Sequence, residues 1–183
     1  MAERLKTKEI IIHCSATPGS RDIGAVDINR WHKERGWSGI GYHYVIRRDG
    51  SIDIGRHATA IGAHAYGHNA TSVGVCLIGG MSEDMSEPED NFTPLQWRYL
   101  EQLVFTLRQV YPDARVIGHN EVSVKACPSF DVQEWAKDLG IERTLADTRA
   151  AAKACPSFDA QEWAEALGIE RSLSGIRKSH TPT

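Results

Sequence analysis

Three runs of consecutive apolar residues have the pattern of buried β-strands. The first, EIIIHC at residues 9–14, is rich in β-branched residues and precedes the turn-forming segment SATPGS, so we predict a strand that ends at or just after His13. The run SVGVCLIGG at 72–80 indicates another central strand. A shorter run, ARVIG at 114–118, predicts a last strand that leads directly to His119. Two histidines are therefore expected at strand ends.

Two longer segments have the periodicity of amphipathic helices. Residues 26–36 have helical spacing and end at Gly36, with Val26, Ile28, Trp31 and His32 as the spaced positions. The second helix is predicted from Thr93, a suitable N-cap, to Val110, and Pro94 fits its first position. Its apolar stripe consists of Trp97, Leu100, Leu103, Val104, Leu107 and Val110.

A hairpin and a short helix complete the pattern. The alternating segment YHYVIRRDGSIDIG at 42–55 predicts a hairpin that turns at Asp49-Gly50. Near the end of the domain, Asp131 with Glu134 resembles a capping pair for a short helix that Gly140 closes. Because apolar runs alternate with amphipathic ones, the pattern indicates an α/β domain.

Composition and charge narrow the class of protein. The 183 residues are 41% hydrophobic and 25% charged, which is typical of one packed domain with a tail. A net charge of -3 gives no basic surface for nucleic acid, so we expect no direct nucleic-acid partner. We also expect no membrane segment and no secretion signal. Four cysteines are too few for a disulfide framework, which favours reduced thiols or metal ligation.

The C-terminal part of the chain contains a tandem duplication. Lys125–Leu145 and Lys153–Leu173 are identical at 17 of 21 positions, with an offset of 28 residues. Two copies are too few for a solenoid. We therefore predict a core domain at residues 1–145 and a tail at 146–183 that carries the repeated helical segment.

Histidines and a cysteine suggest a metal site. A set of His13, His119 and Cys127 has the ligand types that zinc accepts while leaving a fourth position open for water. Lys125 lies two residues before Cys127, so both side chains can face one cavity if the segment is extended. The spacing from His119 to Cys127 matches no zinc finger, and packed histidines with a solvated lysine remain the alternative on spacing alone.

Six ordered motifs carry a resemblance to a known family. The sequence over roughly residues 9–140 resembles the zinc amidases of the N-acetylmuramoyl-L-alanine amidase type 2 family, which T-odd podophages use as lysozymes and which are related to peptidoglycan recognition proteins. The motifs are HCSAT (13–17), WHKERGW (31–37), GYHYVIRRDG (41–50), AHAYGHNATSVGVCLIGG (63–80), NFTPLQ (91–96) and HNEVSVKACPSFD (119–131). The second copy of the repeat lies outside the resemblance.

The resemblance implies a ligand set and two catalytic residues. In that family one zinc ion per chain is held at the positions of His13, His119 and Cys127. The catalytic tyrosine of the family falls on Tyr42 and its catalytic lysine on Lys125. A tyrosine in this position could otherwise be a cross-strand packing residue.

The resemblance also implies a fold, a substrate and a reaction. The expected fold is a central mixed β-sheet of about five strands flanked by helices. The substrate is peptidoglycan, cleaved between the lactyl group of N-acetylmuramic acid and L-alanine, and His64 and Asn69 match positions that line the substrate groove. No carboxylate is assigned as a general base, although Glu121 is close to His119 in sequence.

Two other functions are consistent with the resemblance. One is a peptidoglycan-binding module without activity, but such relatives lack the zinc cysteine, so Cys127 favours an enzyme. The other is inhibition of phage RNA polymerase, for which Arg4, Lys6 and Lys8 form a candidate basic arm. We expect a monomeric endolysin that remains in the host cytoplasm until a holin opens the inner membrane and the enzyme reaches the cell wall.

The duplication offers two cysteines for one ligand position. Cys155 would lengthen the loop from His119 from 8 to 36 residues. Closing the longer loop costs roughly 1 kcal/mol more in chain entropy. We therefore predict that Cys127 is the ligand and that the thiol of Cys155 is not used.

Overall fold

The structure, a computed structural model, describes residues 2–141. The predicted domain limit at residue 145, the repeated segment Lys153–Leu173 and Cys155 lie outside the described residues. In chain order the elements are β1 (Glu9–Cys14), β2 (Thr17–Pro18), α1 (Ala25–Glu34), β3 (Tyr44–Ile46), β4 (Ile52–Ile54), β5 (Ser72–Leu77), β6 (Gly80–Met81), α2 (Pro94–Val110), β7 (Arg115–Gly118) and α3 (Val132–Asp138).

Five of the strands form one mixed sheet in the order β4-β3-β5-β1-β7. Strand β1 is parallel to both of its neighbours, β5 and β7, and β3 is parallel to β5. Strand β4 pairs with β3 in the antiparallel sense, which confirms the predicted hairpin. The predicted five-stranded mixed sheet is therefore confirmed, and β1, the strand that carries His13, lies between β5 and β7.

Helix α2 covers one face of the sheet and begins as predicted. The Thr93 side chain accepts a hydrogen bond from the Gln96 amide at 3.1 Å, and Pro94 is the first helical residue. Its inward side chains are fully buried against β1, β3 and β5, and these are Leu100, Leu103, Val104 and Leu107. Burial of each contributes about 1.5–3 kcal/mol. Within residues 2–141, none of the helices has the length and apolar composition needed to span a bilayer.

Helix α1 packs on the opposite face of the sheet, and one of its predicted positions is wrong. Val26 was expected on the inward stripe, but its side chain is 81% exposed. The residues that point inward are Ala25, Ile28 and His32. Their spacing of three and four residues defines one helix face, and Val26 lies about 100° away from Ala25 on the helix.

The side chains of β1 alternate between the core under α2 and the opposite face of the sheet, where the candidate ligand His13 lies. Ile10 and Ile12 pack in the cluster that contains α2, whereas Ile11 packs in a smaller cluster with Ile117 on the other face. Because side chains alternate along a strand, His13 lies on the same face of the sheet as Ile11. His119 follows Ile117 by two residues and is therefore expected on that face as well. Both histidines are therefore directed away from α2.

The N-terminal segment is attached to the domain by a buried arginine. The guanidinium of Arg4 donates hydrogen bonds to the carbonyl oxygens of Ala58 at 2.6 Å and Ala60 at 3.0 Å, and to the Thr7 hydroxyl at 2.8 Å. It also lies over the Tyr111 ring. Arg4 is thus a structural residue, whereas Lys6 and Lys8 are exposed.

We predict that Arg4→Ala lowers the free energy of unfolding by about 1–3 kcal/mol, because the buried Ala58 carbonyl oxygen loses its side-chain donor and the Ala60 carbonyl oxygen keeps only the donor from His43. Lys6→Ala is the matched control, since an exposed lysine should change stability by no more than about 0.5 kcal/mol. Urea unfolding of the three proteins measures both values. Equal stability of the two variants would contradict the structural role of Arg4.

Candidate metal centre

The three predicted ligands meet at one edge of the sheet. His13 lies near the end of β1, His119 opens a short 3-10 turn directly after β7, and Cys127 follows that turn. Strands β1 and β7 are parallel neighbours, so their carboxyl ends lie at the same edge. Residues separated by more than a hundred positions in sequence are brought together in this way.

The geometry of this group fits a tetrahedral metal site. One ligand atom from each of His13, His119 and Cys127 lies within 4.8 Å of the other two. The His13 Nδ1 and Cys127 Sγ atoms are 3.8 Å apart. Zinc bonds of about 2.1 Å to nitrogen and about 2.3 Å to sulfur would place such a pair about 3.6 Å apart at a tetrahedral angle. Two imidazoles and a thiolate are donors that zinc accepts, so the residues fit the ion.

The sulfur of Cys127 lies in a polar environment. The backbone amide of Cys14 donates a hydrogen bond to it at 3.2 Å. The neighbouring thiol of Cys127 lowers the pKa of Cys14 to about 7, and the thiol of Cys14 together with burial raises the pKa of Cys127. A metal ion deprotonates a coordinating thiol and would hold the charge on Cys127.

Both ligand histidines are neutral in this environment. Burial is the main cause that lowers the pKa of His13, with His64, His119 and Lys125 contributing, and burial followed by Lys125 lowers the pKa of His119. His13 is only 1% exposed. A neutral imidazole has a free lone pair, which is the form that binds a metal.

Tyr42 lies beside His13 on the same face. The ring centroids of Tyr42 and His13 are 5.1 Å apart, and the Gly41 amide donates to His32 Nδ1 at 3.0 Å, which fixes the backbone before Tyr42. Burial raises the pKa of Tyr42 well above its ordinary value, and the thiols of Cys76 and Cys127 add to the increase. The hydroxyl is therefore protonated at neutral pH and can donate a hydrogen bond.

Lys125 lies on the loop between His119 and Cys127. This segment is a series of bends and not the extended strand on which the same-face argument depended. The exposed ammonium is nevertheless close enough to lower the pKa of both His13 and His119. An exposed cation is thus available near the two histidines.

His64 and Asn69 belong to a loop at the rim of the centre. The His64 imidazole is 9% exposed, and its Nδ1 atom lies 3.0 Å from His13 Nε2. The Asn69 Oδ1 atom accepts hydrogen bonds from the His64 and Ala65 amides at 2.7 and 2.9 Å. Asn69 therefore holds the loop backbone. The groove-lining role expected for His64 stays a prediction.

Glu121 is occupied by structural hydrogen bonds. Its carboxylate accepts from the Gly118 amide at 2.6 Å and from the Gln133 side chain at 3.0 and 3.1 Å. These bonds hold the turn that contains His119. The sequence motif placed Glu121 close to a ligand but gave no indication of this role.

A further buried histidine, His43, connects the segment that contains Ala60 to strand β5. His43 Nδ1 accepts from the Gly74 amide at 3.0 Å, so Nε2 carries the hydrogen and donates to the Ala60 carbonyl at 2.9 Å. Burial lowers the pKa of His43 to about 4, and the charges of Arg4 and Arg56 contribute although the bond to Ala60 opposes them. Sequence patterns did not distinguish His43 from the neighbouring strand residues.

Comparison with known proteins gives a family and close relatives. The family model for N-acetylmuramoyl-L-alanine amidase matches residues 3–130, a range that includes all three candidate ligands. The endolysin of Enterobacteria phage K11 is 48% identical over 135 residues, which cover 74% of this chain and 89% of that protein. The endolysin of Escherichia phage T7 is 47% identical over 133 residues, which cover 73% and 87%.

A solved structure has the same fold. The N-acetylmuramoyl-L-alanine amidase LysC from Clostridium intestinale URNW superposes with a TM-score of 0.66 and 32% sequence identity. The superposition covers 76% of this chain and 89% of that chain.

We predict that acid destabilises the metal-free protein partly through His43. Protonation is easier in the unfolded chain, with a pKa near 6.5, than in the folded one, near 4. The contribution is therefore full above pH 6.5 and is lost as the pH falls toward 4, by roughly 3 kcal/mol over the whole interval.

Urea unfolding at several pH values, in the presence of a chelator, measures this effect. The variant His43→Gln should have a smaller decrease in the free energy of unfolding between pH 6.5 and 4, and the same pH dependence as the wild type above pH 6.5. Identical curves over the acidic interval would show that His43 does not contribute.

Proposed function

The chain belongs to the N-acetylmuramoyl-L-alanine amidase family, and on this basis we propose that it is a zinc-dependent phage endolysin. It cleaves the amide bond between N-acetylmuramic acid and L-alanine in peptidoglycan and thereby lyses the host cell. The observation that carries the proposal is the group His13, His119 and Cys127, whose ligand atoms converge within 4.8 Å.

We assign the three ligands and one zinc ion to this group. When bound, zinc supplies Lewis acidity and a water that ionises near neutral pH. His13 and His119 offer neutral imidazoles, and Cys127 offers a sulfur that is already hydrogen-bonded by the Cys14 amide. Three protein ligands leave a position for water or substrate, which is typical of catalytic sites.

Tyr42 and Lys125 perform the remaining chemistry in this proposal. Hydrolysis of an amide develops negative charge on the carbonyl oxygen and requires a proton on the leaving amine. The ammonium of Lys125 stabilises the oxyanion, and the protonated hydroxyl of Tyr42 orients the attacking water or donates a proton to the amine. The Tyr42 ring lies 5.1 Å from that of His13, and the ammonium of Lys125 is close enough to lower the pKa of both histidines.

The presence of Cys127 also favours an enzyme over a module that only binds peptidoglycan. A module that only binds peptidoglycan has no need for a complete ligand set. The presence of all three ligands beside Tyr42 and Lys125 therefore supports hydrolysis over binding alone. In this proposal Asn69 remains a candidate substrate contact at the rim, although its Oδ1 atom also holds the loop.

The cellular part of the proposal is drawn from the similarity to phage endolysins. The enzyme remains in the host cytoplasm until a holin opens the inner membrane, and it then acts on the cell wall. The catalytic domain comprises residues 1–145, with the tail at 146–183. Inhibition of phage RNA polymerase stays a prediction, and of the three basic residues in its candidate arm Arg4 is engaged with the domain.

The first prediction is metal dependence. A chelator should abolish the release of stem peptides from purified peptidoglycan, and added zinc should restore it. Cys127→Ala should lose both bound zinc and activity, because the site loses its thiolate. Cys155→Ala is the matched control and should retain both. Full activity of a protein shown to be free of metal would refute the proposal, and loss of zinc in Cys155→Ala would overturn the ligand assignment.

The second prediction separates catalysis from metal binding. Tyr42→Phe and Lys125→Ala should retain zinc and fold but lower turnover on the order of a hundredfold, which is typical of one acid, base or oxyanion group. Lys137→Ala, an exposed lysine on α3, is the control and should be fully active. Steady-state rates and metal analysis measure the two effects. Wild-type turnover in either variant would remove that residue from the mechanism.

A further inference from the structure

The imidazole of His64 occupies a space that two glycines leave for it. A Cβ atom on Gly74 would lie 2.6 Å from the His64 ring, and one on Gly62 would lie 2.5 Å from it. Real Cβ atoms do not approach other atoms so closely. The backbone of β5 and of the preceding loop therefore fits closely around this one buried ring.

The ring is the middle member of a chain of hydrogen bonds. His13 Nε2 lies 3.0 Å from His64 Nδ1, and His64 Nε2 lies 3.4 Å from the Ser72 hydroxyl oxygen. The Ser72 hydroxyl in turn lies 2.8 Å from the backbone carbonyl oxygen of His68. The chain thus extends from the metal centre to the first residue of β5.

The carbonyl group at the far end gives every bond a direction. A carbonyl oxygen can only accept, so the Ser72 hydroxyl donates to it and its oxygen is left to accept from His64 Nε2–H. His64 Nδ1 then has no hydrogen and accepts from His13 Nε2–H. As a result, His13 Nδ1 carries the lone pair, and this is the atom 3.8 Å from the Cys127 sulfur.

We propose that His64 is a positioning residue that fixes the tautomer and orientation of His13 for metal binding, with Ser72 fixing His64 in the same way. This inference rests on the proposed metal site. His64 does not contact the metal or the substrate in this role, and its function is carried by the acceptor atom Nδ1. Loss of such a partner of a ligand histidine typically weakens metal binding about 10- to 100-fold.

A pair of substitutions separates the hydrogen bond from simple packing. His64→Leu fills most of the space but has no acceptor. His64→Asn leaves a gap but places an amide oxygen at the same number of bonds from Cβ as Nδ1. If the hydrogen bond matters, Asn should bind zinc more tightly than Leu. If only packing matters, the order should be the reverse.

The measurement is the zinc dissociation constant of the full chain by competition with a chromophoric chelator. We expect His64→Leu to bind zinc about 10- to 100-fold more weakly than the wild type, with His64→Asn recovering most of the loss. Ser72→Ala should also weaken zinc binding, but by a smaller factor. This variant tests the inference if His64→Leu does not fold. Exposed His57, whose ring contacts Thr59, provides the control His57→Gln with unchanged affinity.

The outcomes distinguish this inference from the proposed function. If the wild type binds no zinc, the proposed metal site itself fails. If the wild type binds zinc and folded His64→Leu and Ser72→Ala bind it equally well, only the positioning role is overturned. Tighter binding by Leu than by Asn also overturns it, in favour of packing. The order wild type, Asn, Leu supports the inference.

Discussion

The parallel pairing of β1 with β7 is the constraint on which the metal centre depends. Ile12 is paired with Gly118, so His13 and His119 each follow one residue later at the same edge of the sheet. Because side chains alternate along a strand, a slip of one residue would turn one histidine to the wrong face. Burial of Ile10 and Ile12 under α2 opposes such a slip, and packing of the core therefore also sets the geometry of the ligands.

Next to this edge of the sheet the protein buries several polar groups, and each forms a hydrogen bond with another. Arg4 attaches the N-terminal segment to the carbonyls of Ala58 and Ala60, His43 connects Ala60 to β5, and His64 connects β5 to His13. Unpaired polar groups at this depth would each cost several kilocalories per mole. The pairing leaves few alternative arrangements, so the imidazole of His13 is held in one orientation.

The open side of the centre has the opposite character. Lys125 is exposed on a loop of bends, and the side chains of Tyr42 and His119 are partly exposed. A catalytic site needs both properties, since ligands must be rigid to hold a metal while the substrate must reach it. The end of β1 and the buried histidines form the enclosed side, and the loop after β7, which also carries His119 and Cys127, supplies the exposed Lys125.

The sequence by itself determined the α/β class, the strands that precede His13 and His119, the capped helix α2, and, through its motifs, the choice of His13, His119 and Cys127 as the candidate ligand set. These features depend on local periodicity, on capping chemistry and on short segments that are read in order. The exposure of Val26, the structural use of Arg4, and the burial of His64 between two glycines were decided only by the tertiary structure. Each depends on which distant backbone a side chain meets, because hydrogen-bond partners such as Ala58, Ser72 and His13 are brought together by strand pairing and by no pattern along the chain.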